Sequence, residues 1–316
     1  MSNFIAFARS NLPFINDSMK SISPKKAESK KIQPYAIVAV GAADGGAEAF
    51  SELIKNLPHN TGMSYIYLQH GDGNGGELVD LFKTSSKLVV HEAKEAIKLL
   101  PDNVYVIPSN RKMTIVDGSL KLSLGPVKTQ SHLPINDFFN HLADQYREKS
   151  IGILLSGNVA DGTAGLRSIK AAGGITFAQD STASFTGMPK NAVSEEVVDL
   201  VLSPKRIAEE LAKLADQQEK YQQALRELSE DTINDRDENL QTIIRQIHRL
   251  TGADFSHYKI NTIKRRIVRR MVIHGIDNLE SYVAHLKQNT NEVHQLYQDL
   301  LINVTTFSGM LTQLST

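Results

Sequence analysis

The amino-acid sequence predicts a doubly wound α/β domain, a mostly parallel sheet with helices on both faces, followed by a small all-α helical domain. Three observations carry this expectation. From Tyr35 to about Ser203, short apolar β-branched runs alternate with apolar residues at helical spacing, and such alternation builds a parallel sheet covered by helices. From Pro204 onward, helical stripes follow one another without a strand signal. A chain of 316 residues also has room for two domains of about 100–200 residues each.

Residues 1–34 read as a disordered tail. The stretch 21–31 (SISPKKAESKK) is polar and basic without periodicity, and buries too little surface to offset ordering entropy. Order begins at Tyr35. The run 36–40 (AIVAV) is wholly apolar and stops at Gly41, as a strand buried on both faces should. Phe50, Leu53, Ile54 and Leu57 mark a helix that Pro58 ends. Residues 64–69 are strand-like, Leu78, Leu81 and Phe82 mark the next helix, and 88–90 and 104–107 read as strands. Residues 113–124 read as a hairpin with Asp117-Gly118 at its turn. Phe138, Phe139 and Leu142 give a helix, 151–155 a buried strand, 164–172 a helix and 175–178 a strand, which completes an α/β domain over 35–203.

Ile207, Leu211 and Leu214 form one amphipathic set at the head of a helical or polar linker, 204–238, rich in Gln, Glu and Asp from Gln217 onward. Leu240, Ile243, Ile244, Ile247 and Leu250 make an apolar stripe closed by Gly252. Helical segments at 263–273, 279–287 and 293–304 complete the second domain over 239–306, with 307–316 as a tail. That domain lies near the lower size limit for independent folding.

Composition narrows the function. Hydrophobic residues make up 41% and charged residues 22%, which argues against a disordered chain or a coiled-coil rod. Lys+Arg and Asp+Glu each number 35, a balance unlike that of a whole-protein nucleic-acid or membrane-surface binder. There is no Cys, so disulfide scaffolds, Cys-bearing zinc sites and thiol nucleophiles are excluded. No apolar run approaches the roughly 18 residues that span a bilayer. Phe4, Ile5 and Phe7 are interrupted by Arg9 and Asn11 without a cleavage pattern, so no signal peptide is expected and the protein reads as cytoplasmic.

Gly41-Ala42-Ala43-Asp44-Gly45-Gly46 lies between the first strand and the first helix. One functional reading is a phosphate cradle at a helix N-terminus, although neither G-x-G-x-x-G nor a P-loop fits. The other is a nucleophile elbow, G-x-S-x-G, in which a strained turn presents the Ser. Gly41, position 43 and Gly45 fit that frame, with Ala43 in the central place. An ordinary tight strand-to-helix connection is the bland alternative. His70 ends the next strand, and Asp161 follows the strand at 151–155. Carboxyl ends of parallel strands converge on one ligand-binding edge, so position 43, His70 and Asp161 can stand as nucleophile, base and orienter.

Residues 36–203 resemble the catalytic domain of the chemotaxis protein-glutamate methylesterase family. The shared blocks are VGAADGGAEAF at 40–50, YLQHGDG at 67–73, NVYVIPSNRKMTI at 103–115 and HLPINDFF at 132–139. They continue with GILLSGNVADGTAGLRSIKAAGG at 152–174 and AQDSTASFTGMPKNAV at 178–193. The resemblance implies hydrolysis of glutamyl methyl esters on chemoreceptors with release of methanol. It places the nucleophile at position 43, the base at His70 and its partner at Asp161. The elbow, with its oxyanion donors, falls on Gly41, Asp44, Gly45 and Gly46. The family's Ser is Ala43 here, and a methyl group cannot attack an ester, so impaired turnover is expected. Asp44 adds a carboxylate beside the expected oxyanion.

A second constellation lies at 259–270, where Lys259, Lys264, Arg265, Arg266, Arg269 and Arg270 occur without an acid. Ile260, Ile263, Ile267 and Met271 share one helical face, which places Arg265, Arg266 and Arg269 on roughly the opposite, exposed side. That side is either a solvated face or an electropositive surface for an acidic partner. The stretches TGADFSHYK at 251–259, GIDNLESY at 275–282 and LLINVTTF at 300–307 resemble the N-terminal helical domain of the chemotaxis receptor methyltransferase family. This second resemblance implies that the arginines meet the acidic cytoplasmic helices of methyl-accepting chemoreceptors. The methyltransferase's cofactor-binding domain should begin just after Phe307, but SGMLTQLST follows, so no S-adenosylmethionine binding is expected. No receiver domain is expected before Tyr35. The sequence thus predicts an impaired methylesterase joined to a receptor-facing methyltransferase fragment, without cofactor, metal or nucleic-acid partner. The rival is a non-catalytic binding protein for receptors or signalling complexes.

Overall fold

The computed structural model describes residues 33–71, 75–108, 111–124, 133–217, 236–255 and 258–312, with backbone alone for 124 and 303–312. The tail expected before Gln33 and the linker at 218–235 lie outside the described residues. Seven parallel strands form the main sheet in the order β3-β4-β2-β1-β7-β8-β9. They are β1 (Ile37–Ala42), β2 (Ser64–Gln69), β3 (Val89–Glu92), β4 (Asn103–Val106), β7 (Ser150–Leu154), β8 (Ile175–Gln179) and β9 (Leu200–Leu202). Between β4 and β7 the chain makes the antiparallel pair β5 (Arg111–Val116) and β6 (Ser119–Leu124). Asp117 at φ 51° and Gly118 at φ 73° turn that hairpin, the left-handed pair that a tight two-residue turn requires.

Successive side chains of a strand face opposite ways, and β1 shows the consequence. Val38, Val40 and Ala42 join one core with Phe50, Leu53, Phe82 and Ile207. Ile37 and Ala39 join the other with Phe138, Phe139, Leu142 and Leu166. The first core lies under α1 (Gly46–Asn56), α2 (Gly75–Ser85) and α6 (Pro204–Asp216); the second lies under α3 (Pro134–Tyr146), α4 (Thr163–Ala172) and α5 (Gly187–Ser194). Helices therefore cover both faces, as expected.

Several elements depart from the sequence reading. In α2 the buried residues are Val79 and Phe82, and Leu81 stands 40% exposed. Helix α5 and strand β9 carry no signal that the sequence pattern distinguished. Helix α6, expected at the head of the linker, buries Ile207, Ala208 and Leu211 in the first core and packs on α1. It is a covering helix of the sheet.

The remaining helices are α7 (Glu238–Thr251), α8 (Ile260–Ile273), α9 (Leu279–Gln288) and α10 (Thr290–Thr312). Asp237 caps α7 by accepting from the N–H groups of Asn239 at 2.9 Å and Leu240 at 3.1 Å. Gly252, at φ 74°, ends it. Leu240, Ile243 and Ile247 share a core with Ile263, Ile267, Tyr282, Leu286, Leu296 and Leu300, whereas Leu250 is 41% exposed. Helix α10 runs through position 307 without a break.

The arginines of α8 correct an expectation. Arg265 is exposed, but Arg266 and Arg269 are 5% and 2% accessible, and Arg270 is 3%. The helix is covered on both sides: Ile263, Ile267 and Met271 face the helical core, and the arginine side meets the α/β domain. A periodicity argument assigns one side to solvent by default, and here a second body occupies it.

Candidate active site at the carboxyl edge of the sheet

Strands β2 and β7 flank β1. The sheet is wound outward in both directions from there, and a crevice opens beyond the carboxyl ends of strands at such a point. Ala43 follows β1, His70 follows β2, and Asp161 lies on the loop between β7 and α4. His70 is anchored by its N–H donating to the carbonyl of Ala42 at 2.8 Å.

His70 Nδ1 lies 2.9 Å from Asp161 Oδ2. The Asp161 carboxylate is 1% accessible and sits at the N-terminus of α3. Its Oδ2 accepts from Ile135 N–H at 3.1 Å, and its Oδ1 from Asn136 N–H at 2.9 Å and Gly162 N–H at 2.8 Å. Pro134 begins that helix, and the first-turn N–H groups, which lack partners within a helix, are natural anion donors. The hydrogen bond to Asp161 raises the His70 imidazole above its ordinary pKa; burial opposes this and the carboxylate's charge adds to it. With Nδ1 bound to Asp161, Nε2 is the nitrogen left for proton exchange.

The elbow itself is bonded tightly. Ala43 N–H donates to Ser156 O at 2.9 Å, and Ala43 O accepts from Gly46 N–H at 3.0 Å and Gln69 Nε2 at 3.1 Å. Tyr67 donates its hydroxyl to Gln69 Oε1; burial, and behind it Glu48, holds the phenol far above its ordinary pKa, so it stays a donor. Ser156 Oγ donates to Asp44 O at 2.7 Å and accepts from Phe185 N–H at 3.0 Å. Ala43 has no positive φ; the left-handed residue is Gly45 at φ 70°, which stands at the N-cap of α1. The strained turn expected at position 43 is therefore displaced onto Gly45. Gly41 lies within β1 and serves by its small size: a Cβ there would stand 2.4 Å from Ile135 Cγ2. Gly46 is equally confined, with Ala42 Cβ at 2.3 Å. Asp44 is exposed at the rim.

The structure thus brings Ala43, His70 and Asp161 to one edge, with the elbow glycines behind them. Sequence reasoning missed Gln69, Ser156 and the amides of Ile135 and Asn136. Pro134 at the start of a helix was the available signal for the last two. Arg265, Arg266 and Arg269 lie on α8, outside this site. Among the described residues, His274, His285 and Glu292 place one possible ligand atom each within 4.8 Å of one another. Glu292 is already taken, however, by Arg270 Nε at 2.8 Å, Arg270 Nη2, Tyr282 OH at 2.8 Å and His274 Nε2 at 2.7 Å. Burial pushes its carboxyl up, but His274 and Arg270 outweigh that and hold its pKa at about 2. A divalent cation would stand beside the Arg270 guanidinium, and the cluster works as a brace of the helical domain.

A model of the CheB methylesterase family matches residues 38–211, and one of the CheR methyltransferase all-alpha domain matches 238–301. A Leptospira interrogans relative is 32% identical over 178 residues, covering 55% of this chain and 92% of its own length. The protein-glutamate methylesterase/protein-glutamine glutaminase 2 of Methanosarcina acetivorans is 31% identical over 220 residues, covering 65% of this chain and 62% of its own. The crystal structure of the Thermotoga maritima CheB methylesterase catalytic domain superposes with a TM-score of 0.53 at 29% identity, covering 57% of this chain and 98% of that one.

Proposed function

Since the chain belongs to the CheB methylesterase family, we propose that its α/β domain carries a protein-glutamate methylesterase site in which the attacking hydroxyl is missing. The substrate class is the glutamyl methyl ester of a chemoreceptor, and the products are a glutamate side chain and methanol. The observation that carries this reading is the His70–Asp161 pair at 2.9 Å, set beside position 43 at the carboxyl edge.

With a Ser at position 43, His70 Nε2 takes the hydroxyl proton as the oxygen attacks the ester carbonyl, then returns it to the departing methoxide; a water deprotonated by the same nitrogen then cleaves the glutamyl–Ser ester, freeing the glutamate side chain and regenerating the hydroxyl. Asp161 fixes the imidazole and stabilises its protonated form. The N–H of Asp44, the residue after the elbow position, is the expected oxyanion donor, and its side-chain carboxylate disfavours the charge forming there. With Ala43 the first step has no attacking atom. Loss of a triad nucleophile leaves about 10³–10⁴ over water out of a much larger acceleration.

The unmodified chain is expected to release no methanol from methylated receptors above a buffer control. Ala43→Ser restores release, and Ala43→Ser with Asp44→Thr restores more. Robust turnover by the unmodified chain, abolished by His70→Ala, would assign the attack to another group. The second reading, a non-catalytic protein that docks on receptor or signalling complexes, draws on Ala43 itself, and it predicts receptor binding with no gain from Ala43→Ser. Of the three arginines assigned to receptor contact, Arg265 alone lies where a receptor helix can meet it.

A further inference from the structure

The buried side of α8 meets the end of α4. Arg266 donates from Nη1 to Lys170 O at 2.8 Å and from Nη2 to Ala171 O, and Arg269 Nε donates to Gly174 O at 2.8 Å. The last carbonyls of a helix lack partners within it and carry its negative end, so α4 offers acceptors that a guanidinium fork fits. Charged side chains from both domains then interleave. Lys170 Nζ lies 3.4 Å from Asp199 Oδ1 and 3.3 Å from Asp299 Oδ1, all with fully buried side chains. Arg269 reaches Asp299 Oδ2 at 2.5 Å and also pairs with Asp199 Oδ2. Asp199 is further held by Thr176 N–H and Thr176 Oγ1, each at 2.9 Å.

Each domain brings its own counter-ion: Lys170 with Asp199 on the α/β side, Arg269 with Asp299 on the helical side. These two pairs are compensated within their own domains, whereas Arg266 finds its acceptors, the carbonyls of Lys170 and Ala171, only across the contact. Beside the charges, Val272 and Ile273 of α8 pack on the sheet core. Next to them lies a cavity of about 440 Å³ lined by Leu200, Lys213, Leu214, Val272 and His274. Apolar packing is therefore incomplete there, and the charged pairs fix the register, the best-attested role of buried polar groups.

We infer that the arginine side of α8 is a docking surface whose partner is this chain's own α/β domain, and that the contact holds without the linker. The seat is the carboxyl end of α4 with Asp199. Asp199 precedes β9, and Thr176 lies at the start of β8. This end is opposite the carboxyl edge where His70 stands, so the docked helical domain leaves the site mouth uncovered.

The test places a protease site within residues 218–235 of the full chain, cuts the folded protein and follows the two halves by size-exclusion chromatography. They are expected to co-elute in equal amounts at about 0.15 M salt and still at about 1 M, because buried pairs are screened little. Arg266→Ala with Arg269→Ala is expected to separate them. Should the double variant fail to fold, Arg266→Ala alone serves, since it frees only carbonyls and no carboxylate. It is expected to weaken association at least about tenfold, the effect of losing charged hydrogen bonds. Separation of the unmodified halves, or co-elution of the Arg266→Ala halves as tightly as the original, would overturn the inference.

Discussion

Two aspartates with buried side chains lie at opposite ends of the α/β domain and are held by different donors. Asp161 is gripped by three main-chain N–H groups and one imidazole. Asp199 has one main-chain donor, Thr176, with that residue's hydroxyl, and is otherwise gripped by side-chain cations, Arg269 and Lys170, with Arg270 Nη1 at 3.7 Å. Burial pushes the Asp199 carboxyl up, but these cations outweigh it and hold its pKa far below the ordinary value. A carboxylate held by backbone is fixed in direction, which suits the orientation of a base. One held by a cation of its own domain together with arginines of the other joins two bodies.

The difference can be broken at its larger end first. Asp199→Ala leaves Lys170, Arg269 and Arg270 short of an anion in a dry place, and is expected to cost about 3–5 kcal/mol in urea denaturation. Asp161→Asn keeps the shape but loses charge-assisted bonds, so about 1.5–3 kcal/mol is expected from the same measurement. A cost for Asp161→Asn above that for Asp199→Ala would reverse the comparison.

Acid and mild alkali should then act on the two regions separately. His70 has a raised pKa in the folded state, so its pairing stabilises fully below the unfolded value of about 6.5 and is lost as pH rises through the folded value. Glu292 and Asp199 have lowered pKa values, so theirs is present above about 4 and is lost as pH falls through the folded values, which for Glu292 is about 2. Stability against pH should lose the first contribution in Asp161→Asn and the Glu292 share of the second in Glu292→Gln. A shared window for both variants would contradict the assignment. The smallest effect belongs to Arg265→Ala, within about ±0.5 kcal/mol, as for an exposed helix position.

The two regions also differ in how far the sequence disclosed them. His70 and Asp161 follow apolar runs that mark strand ends, and strand ends in a parallel sheet share an edge, so their meeting was legible. Asp199 and Lys170 lie in stretches that pattern alone leaves ordinary, and their partners Arg269 and Asp299 come from a different domain. Helical periodicity could place Arg266 and Arg269 away from Ile263 and Ile267, but not state what lay on that side. Helix α6 was misplaced for the same reason, since its apolar set was visible while the sheet face awaiting it was not. The strain expected at position 43 came from the motif frame, and Gly45 absorbs it instead.

The main-chain grip on Asp161 bears on how this site ages under mutation. Its donors at Ile135, Asn136 and Gly162 are peptide groups, so a substitution at Ile135 or Asn136 leaves them in place unless it introduces proline or shifts the helix; Gly162, at φ 89° with Leu154 Cδ2 2.4 Å from where a Cβ would stand, is the exception. The orientation of His70 is thereby insulated from side-chain drift nearby. A lineage can lose the hydroxyl at position 43 and still inherit an aligned base, which leaves the site closer to reactivation than an eroded one would be.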